Sequence, residues 1–165
     1  MNLTMIYLNK LLLCLIMQNK EFDMKRMSVI EVSRKTTATK EQIRKLWVDV
    51  PNWNTWDSTV ISSKLYGEFK PGTKGVVKLA GGPKSKFVIK DCSPMIPFSN
   101  RSYLPLCKVD FTVTLSETQN GLFVTYRQEM TGFLTFFFSK IMGKMMEKGL
   151  NKGIEDLIAK AEKSN

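Results

Sequence analysis

The sequence contains no histidine among its 165 residues. Histidine is the side chain whose ordinary pKa lies nearest neutrality, and it is also the commonest metal ligand. Its absence excludes catalytic triads built on histidine and most zinc sites. Any acid–base chemistry in this protein must therefore use carboxylates, lysine, tyrosine, cysteine or backbone groups.

Cysteine is scarce, and the residues are Cys14, Cys92 and Cys107. They are odd in number, far apart and in no C-x-x-C spacing, so we expect neither a disulfide framework nor a metal site. Free cysteines are usually buried and inert, and this pattern is typical of a reducing compartment, so we predict a cytoplasmic location. We also expect no cofactor, because Gly81-Gly82-Pro83 predicts a turn between strands rather than a phosphate-binding loop.

Long hydrophobic runs are also missing. Residues Met1–Met17 are apolar, but Asn9 and Lys10 interrupt them. The remaining run, Leu11–Met17, is far shorter than the ~20 residues that a membrane-spanning helix needs. The residues before Cys14 and after Met17 are not the small residues of a lipidation or cleavage site, so neither export nor anchoring is favoured.

Two interpretations of residues 1–26 stay open. They could form an amphipathic helix that lies on the domain or on a membrane surface. They could instead be an upstream extension, with translation starting at Met24 or Met27. We favour the extension, because the pattern of a folded domain begins only at Met27, and we predict a ligand-binding domain over residues 27–165.

The composition is that of one basic globular domain. The hydrophobic fraction of 43% and the charged fraction of 24% are ordinary for such a domain. Lysine and arginine number 25 against 15 acidic residues, which gives a net charge of +10. No basic loop interleaved with aromatic residues appears, so nucleic acid is not an expected partner.

The first part of the domain predicts a strand followed by two short helices. Val29–Arg34 is rich in β-branched residues, which favours a strand. Thr39–Gln42 has the pattern of a capping box and begins a helix with apolar residues at helical spacing. Pro51 ends this helix and opens a second short one through Trp53 and Trp56.

The middle of the chain predicts an antiparallel meander, and the C-terminal part predicts one long helix. Turns rich in glycine and proline separate the strands, and Asn120-Gly121 indicates a hairpin. The predicted strands are Val60–Phe69, Lys74–Leu79, Phe87–Ile89, Tyr103–Glu117 and Leu122–Met130, in a sheet of about six or seven strands. Helical spacing over Phe133–Lys163 predicts the last helix.

Three segments carry a resemblance to a known family. Residues 46–57, LWVDVPNWNTWD, are similar to the helix–turn segment of the polyketide cyclase/dehydrase-like (SRPBCC) group. That group belongs to the START and birch-pollen-allergen-like superfamily. Residues 67–75, GEFKPGTKG, resemble the group's hairpin between its second and third strands, and Gly132-Phe133-Leu134 matches the entry into its last helix. The resemblance covers residues 27–163.

The resemblance implies an α+β helix-grip fold. In this fold a curved antiparallel sheet wraps around the long C-terminal helix and leaves an apolar cavity between them. Members of the group bind lipids, sterols, polyketides or other hydrophobic small molecules, and a minority act as cyclases or dehydratases. The implied partner is therefore a hydrophobic small molecule, such as a lipid, a polyketide-like compound or an aromatic.

The predicted ligand-binding residues combine this resemblance with the apolar faces of the strands and the last helix. They are Trp53, Trp56, Phe87, Phe111, Val113, Tyr126, Phe137, Met142 and Met146. The two tryptophans have a second explanation, because large aromatic side chains also pack short helices onto a sheet without any ligand.

Four residues of the last helix, Met142, Met146, Gly149 and Gly153, share one stripe. Glycine inside a helix costs ~1 kcal/mol relative to alanine, and methionine adapts to irregular volumes. If the stripe faces the sheet, the sequence leaves space in the interior for a ligand. Close packing of helix on sheet, or a bend at the glycines, would explain the same stripe.

A second stripe of the last helix consists of lysines, namely Lys140, Lys144, Lys148 and Lys152. A basic stripe can meet anionic membrane lipids. We interpret it instead as a solvated face whose charge nearby acidic residues partly balance. A membrane surface is therefore a possible but not a favoured partner.

The candidates for catalysis are Asp110, Arg127, Glu129, Lys78, Tyr66, Tyr103 and Tyr126. A carboxylate inside an apolar cavity would have a raised pKa and could act as a general acid or base. Charged residues of an antiparallel sheet usually face water, however, so we assign no catalytic residue. A buried acid that faces a tyrosine across the cavity would favour an enzyme.

These observations predict a protein that binds a hydrophobic small molecule by burying apolar surface, as a monomer or homodimer. Two alternatives stay open. One is an enzyme of the cyclase/dehydratase type that uses a buried carboxylate or tyrosine. The other is a membrane-associated lipid carrier.

Overall fold

A seven-stranded antiparallel sheet and one long C-terminal helix form the protein, and the computed structural model describes residues 27–93 and 98–163. The strands are Met27–Thr36 (β1), Val60–Leu65 (β2), Lys74–Leu79 (β3), Lys84–Cys92 (β4), Phe98–Leu104 (β5), Cys107–Thr118 (β6) and Gly121–Gly132 (β7). The helices are Lys40–Val48 (α1), the short 3-10 helix Val50–Thr55 and Thr135–Glu162 (α2). The predicted helix-grip α+β architecture is confirmed.

The strand order places the first strand of the sheet beside the last one. It is β1-β7-β6-β5-β4-β3-β2, so β2 to β7 form a meander and β1 lies beside the last strand. β1 and β7 pair along their whole length, from Met27 opposite Thr131 to Thr36 opposite Leu122. The α2 helix follows β7 directly and packs on these two strands and on α1.

The capping box predicted at the start of α1 is present. The Thr39 hydroxyl accepts a hydrogen bond from the Gln42 N–H at 3.2 Å, and the Gln42 side-chain oxygen accepts one from the Thr39 N–H at 2.7 Å. Each bond satisfies a backbone donor that a helix leaves without an internal partner. The helix buries Ile43 and Trp47 against the core.

The prediction of one strand over Tyr103–Glu117 is wrong. The structure has two strands there, β5 and β6, which pair in a tight hairpin with Leu104 opposite Cys107. The turn passes through Leu106, whose φ of 52° is in the left-handed region. Glycine usually occupies that region, and the turn contains none. Pro105 is the turn signal that the prediction of one continuous strand overlooked.

The predicted strand Val60–Phe69 is also too long. β2 ends at Leu65, and the chain then turns before β3 begins. Phe69 lies in this turn, and its ring stacks on Phe98 with centroids 5.3 Å apart. Its apolar character therefore reflects packing of the turn onto the core rather than a place in the ladder.

The core consists of two hydrophobic clusters. The larger one joins the sheet, α1, the tryptophan-rich 3-10 helix and the C-terminal half of α2, and it includes Leu150, Ile154, Leu157 and Ala161. The smaller one is formed by Cys107, Val109 and Met130, with Phe138 and Met146 packed against it. The helix is thus gripped along its C-terminal half, whereas its N-terminal half is largely exposed.

Several predictions lie outside the described residues. They concern residues 1–26, including the choice between a surface helix and an extension, and Cys14. Within residues 27–93 and 98–163, no helix is long and apolar enough to cross a membrane. Cys107 is buried, Cys92 is half-buried, and both are free thiols.

Candidate functional site

A buried acid, Asp57, lies at the centre of the most distinctive polar site. It follows the 3-10 helix, and its side chain is only 8% exposed. Its Oδ1 accepts hydrogen bonds from the Thr59 N–H at 2.9 Å and the Thr59 hydroxyl at 2.6 Å. These two bonds hold the carboxyl group in one orientation and leave Oδ2 directed at α2.

Gly153 of α2 is the residue that makes room for this carboxyl group. A Cβ atom added at Gly153 would lie 3.2 Å from Asp57 Oδ2 and 3.6 Å from Cε2 of Tyr126. Asp57 and Tyr126 therefore both approach α2 at Gly153. An alanine there would crowd the Asp57 carboxyl group and lie in van der Waals contact with the Tyr126 ring.

Tyr126 approaches this site from the sheet. It is a β7 residue, 2% exposed, and its ring packs edge-on against Trp47 of α1 with centroids 5.6 Å apart. Three buried polar atoms have no hydrogen-bond partner among the described residues, and they are Tyr126 Oη, Trp47 Nε1 and Trp56 Nε1. Buried polar groups are nearly always hydrogen-bonded, so a cluster of three is unusual.

The two titratable groups of the site have pKa values raised by their surroundings. Burial raises the pKa of Asp57, against the two hydrogen bonds from Thr59, and the charge of Asp156 adds to the rise. Burial also raises the pKa of Tyr126 well above its ordinary value, and the charge of Asp57 raises it further. The Trp47 N–H faces the phenol and lowers the pKa of Tyr126 slightly, although its geometry falls short of a hydrogen bond. Tyr126 is therefore a neutral donor near pH 7.

A second acid connects the same region to the surface. Asp156 accepts hydrogen bonds from the Ser58 N–H at 3.0 Å and from Lys152 Nζ at 2.7 Å. Partial burial opposes ionisation, but the bonds from Lys152 and Ser58 prevail and lower the pKa of Asp156. This ionised carboxylate ties the residue after Asp57 to α2 and so fixes the acid in place.

The concave face of the sheet carries polar side chains beside this site. Gln128 alternates with the buried Tyr126 and Met130 along β7, so all three point towards α2. Gln128 lies opposite Phe111, and Phe111 lies opposite Asn100 on the next strand. The half-buried Gln128 and Asn100 therefore lie on the inner surface with Phe111 between them. An inner surface that mixes amides with an aromatic ring can contact an apolar molecule and orient its polar group.

The methionine–glycine stripe of α2 faces this inner surface. Met142 and Met146 are half-buried, and Met146 packs against the smaller cluster. A Cβ atom added at Gly149 would meet no atom within 4 Å. Of the two interpretations of the stripe, close packing therefore applies at Gly153, whereas Gly149 has open space beside it.

Most of the predicted lining residues are in or against the larger cluster. Trp53, Trp56, Phe87, Val113 and Tyr126 are buried, and Phe111 is half-buried. Trp53 donates a hydrogen bond from Nε1 to the Trp47 carbonyl at 3.0 Å, and its ring stacks on Phe87 with centroids 5.9 Å apart. Trp53 thus has the packing role that offered the second explanation for the tryptophans.

Phe137 does not lie with the other predicted ligand-binding residues, so we remove it from the residues that line the candidate site. Its side chain is 55% exposed and lies on the outward face of α2. The helix begins at Thr135, whose side chain is buried, and this phase turns Phe137 away from the sheet. The face of this half of the helix that carries Phe137 and Ile141 therefore points away from the core.

The candidates considered for catalysis on the sheet form ion pairs away from the interior. Arg101 binds Asp110 through two contacts of 2.6 Å each. Arg127 binds Glu129 at 2.7 Å and Glu31 at 2.8 Å. These residues alternate with the buried ones along their strands, so they lie on the convex face.

The other candidates considered for catalysis also lie outside the site. Tyr66 and Tyr103 are 61% and 62% exposed, and Lys78 donates a hydrogen bond to the Gly82 carbonyl. No group of three or more acidic or cysteine side chains within the described ranges could hold a metal ion. Two surface depressions, of about 500 and 340 Å³, lie on the outward face of α2 and beside the β5–β6 turn, and neither lies between the sheet and α2.

Asp57 is the residue of the candidate site that the sequence analysis missed. It was quoted only as the last residue of the family-like segment 46–57. A signal was present, because the acid directly follows a tryptophan-rich helix that must pack on the core. Asn100 gave no such signal, since β5 itself was not recognised. Gln128 lies in the predicted strand Leu122–Met130, but a single amide in a strand is not a signal of a site.

Comparisons with known proteins give the fold and no closer relationship. The sequence matches no protein-family model, and no curated protein is significantly similar to it. The di-domain ARO/CYC StfQ of the steffimycin biosynthetic pathway has a TM-score of 0.73 at 12% identity, over 87% of this chain and 53% of that one. This chain thus spans about half the length of that two-domain protein.

Two further solved structures are similar over most of both chains. A hypothetical protein from Helicobacter pylori has a TM-score of 0.67 at 12% identity, covering 82% of this chain and 87% of that one. Norcoclaurine synthase from Thalictrum flavum has a TM-score of 0.63 at 14% identity, covering 84% of this chain and 88% of that one. The resemblance to the polyketide cyclase/dehydrase-like group is therefore confirmed at the level of the helix-grip fold.

Proposed function

We propose that the protein binds a hydrophobic small molecule that carries at least one hydrogen-bonding group, between the concave face of the sheet and the N-terminal half of α2. The observation that carries this proposal is the cluster of buried polar atoms around Tyr126, which have no partner among the described residues. A ligand oxygen that accepts from Tyr126 would satisfy one of these donors. The half-buried amides of Asn100 and Gln128 support the same idea.

The open space beside Gly149 supports this position for the ligand. Glycine lowers helix stability there without any close neighbour that needs the space. The flanking Met142 and Met146 are side chains that adapt to irregular shapes. The apolar part of the ligand would lie along these residues and Phe111, while its polar group reaches towards Tyr126.

Native mass spectrometry of the full chain purified from its own host is the first test. We expect a bound small molecule that is lost on denaturation. Tyr126→Phe removes one hydroxyl and should weaken binding by up to about tenfold, the value of one hydrogen bond. Tyr66→Phe is the matched control, because this tyrosine is exposed in the turn after β2.

A second variant tests the position rather than the hydrogen bond. Gly149→Leu places a side chain in the open space beside the helix. It should abolish binding of the small molecule while the fold is retained. Binding that survives both Gly149→Leu and Tyr126→Phe would place the ligand elsewhere and contradict the proposal. A protein that carries no small molecule and retains none from a lipid extract of its host would contradict it as well.

An enzyme of the cyclase or dehydratase type is the second candidate function. It is favoured by one observation, namely a buried carboxyl group and a buried tyrosine that meet at Gly153. Two of the similar structures are named as a cyclase and a synthase, so reactions of small molecules are among the functions that this fold supports.

The chemistry of a dehydration can be assigned to these two residues. The Asp57 carboxylate would take a proton from a carbon next to a carbonyl group, and the neutral Tyr126 phenol would give its proton to the departing hydroxyl, which leaves as water. Asp57→Asn should abolish loss of water from the recovered ligand and leave ligand binding intact. Unchanged turnover in Asp57→Asn would exclude this role.

A further inference from the structure

The N-terminal end of α2 and the neighbouring turn form an exposed apolar surface. Leu106, Phe136, Phe137 and Ile141 are 70%, 74%, 55% and 63% exposed. We call these four residues the tip patch. Single exposed apolar residues are common, but a contiguous group with two phenylalanines marks an interaction surface in most soluble proteins.

Backbone contacts hold the two parts of the tip patch together. The Leu134 N–H donates to the Leu106 carbonyl at 3.5 Å, which places the β5–β6 turn beside the first turn of α2. Gly132 is required at this junction, because a Cβ atom there would lie 2.4 Å from the Leu106 oxygen. The patch is therefore built on two rigid elements.

Lysines continue the same face of α2 beyond the tip patch. Lys140, Lys144 and Lys148 are all exposed, and their spacing of four residues sets them about 6 Å apart along the helix. Lys140 Nζ lies 5.5 Å from the centre of the Phe136 ring. An exposed apolar patch followed by a row of lysines is complementary to a lipid membrane, which has an apolar interior and can have anionic headgroups.

We propose that the tip patch docks onto an anionic lipid membrane, with Phe136 and Phe137 entering the interface and the three lysines contacting the headgroups. Interfacial helices bind by combining buried apolar area with electrostatic attraction to anionic lipids. A second copy of this chain is a poorer occupant, because two such faces would bring their lysines together. The proposal does not depend on the proposed ligand or reaction.

Flotation of the full chain with phospholipid vesicles tests the proposal. We expect binding to vesicles of phosphatidylcholine mixed with phosphatidylserine, little binding to phosphatidylcholine alone, and release at high salt. The triple variant Lys140→Gln, Lys144→Gln, Lys148→Gln should bind on the order of a hundredfold more weakly, since each lysine near an anionic surface contributes about fivefold. Phe136→Ser with Phe137→Ser should also release the protein.

Matched controls separate the tip patch from general charge and hydrophobicity. Lys74→Gln, Lys86→Gln, Lys90→Gln removes the same charge from exposed positions on β3 and β4 and should leave binding unchanged. Ile61→Ser with Tyr66→Ser removes exposed apolar side chains from β2 and the following turn and should do the same.

Three outcomes would overturn the proposal. The first is no binding to the mixed vesicles. The second is undiminished binding by both tip-patch variants, which would assign any membrane affinity to residues 1–26. The third is a wild-type protein that sediments as a dimer and does not bind vesicles, together with a phenylalanine variant that sediments as a monomer. That result would make the patch a contact between copies of this chain.

Discussion

At the residue scale, the interior contains a carboxyl group that cannot ionise freely. Transfer of a charge into a weakly polar interior is unfavourable, and such a group responds by shifting its pKa towards the neutral form. Asp57 has two hydrogen bonds from Thr59 that favour the charged form, yet burial prevails and its pKa is raised. A group held in this way reduces stability when it ionises.

Asp57→Asn tests this cost through the pH dependence of unfolding. The unfolded chain ionises Asp57 near 3.8, whereas the folded chain ionises it only at a higher pH. The wild type should therefore lose stability relative to the variant as the pH rises from about 3.8 to the folded pKa, and the difference should then stay constant. The loss amounts to about 1.4 kcal/mol for each pH unit between the two pKa values.

Urea denaturation of both proteins across this pH range provides the measurement. Asp156 and Glu162 have lowered pKa values, and their protonation destabilises both proteins at acid pH, so the difference in stability between the two proteins is the informative quantity. A difference that does not change with pH would mean that Asp57 has the same pKa in both states.

At the scale of elements, α2 has two halves with different roles. Its C-terminal half buries Leu150, Ile154 and Leu157, which anchor the helix in the larger cluster. Its N-terminal half carries exposed phenylalanines and half-buried methionines. The glycines mark this change, because Gly153 is crowded by Asp57 and Tyr126, whereas Gly149 has open space around it.

The two glycines should therefore respond differently to alanine. Gly149→Ala should raise the free energy of unfolding by up to about 1 kcal/mol, because alanine has the higher helix propensity and meets no neighbour. Gly153→Ala gains the same propensity but must displace Asp57, so we expect a smaller gain or a net loss. Thermal unfolding of the two variants beside the wild type compares them, and an equal gain in both would contradict the crowding at Gly153.

The capping box makes a prediction for α1. Thr39→Ala removes the acceptor for the Gln42 N–H and should lower the free energy of unfolding by about 1 kcal/mol. Thr39→Ser keeps a hydroxyl and should retain most of the stability. Chemical denaturation distinguishes the two, and equal losses would show that the methyl group rather than the hydroxyl matters.

At the scale of the whole molecule, stability is unevenly distributed. The larger cluster joins α1, the 3-10 helix, the sheet and one half of α2, whereas the smaller cluster contains three buried residues. Regions with few buried apolar contacts open more readily than the rest of a fold. The open region here is the one in which we place the ligand.

Hydrogen exchange should reveal this difference directly. Amides of residues 138–146 should exchange faster than those of residues 154–161, although both belong to one continuous helix. A bound ligand between the sheet and α2 should slow the first group and leave the second unchanged. Uniform protection along α2 in the free protein would contradict the division of the helix.

The sequence determined the parts of the fold that depend on neighbouring residues. The capping box at Thr39 and the hairpin at Asn120-Gly121 depend on residues close together in the chain, so each was recognised from local pattern. The β5–β6 turn was not, although Pro105 marks it, because Leu106 adopts a left-handed conformation without glycine. There the backbone is held by tertiary contacts with Gly132 rather than by its own preference.

Only the tertiary structure decided the candidate site. The tryptophan-rich helix before Asp57 indicates only that this acid lies near the core, and its burial follows from the packing of α2 at Gly153. Phe137 is as apolar as a core residue, yet its position around the α2 helix turns it outwards. The burial of a side chain, its pKa and the face of the helix that it occupies depend on which surfaces pack together in the folded protein. The residues next to it in the sequence do not determine that packing.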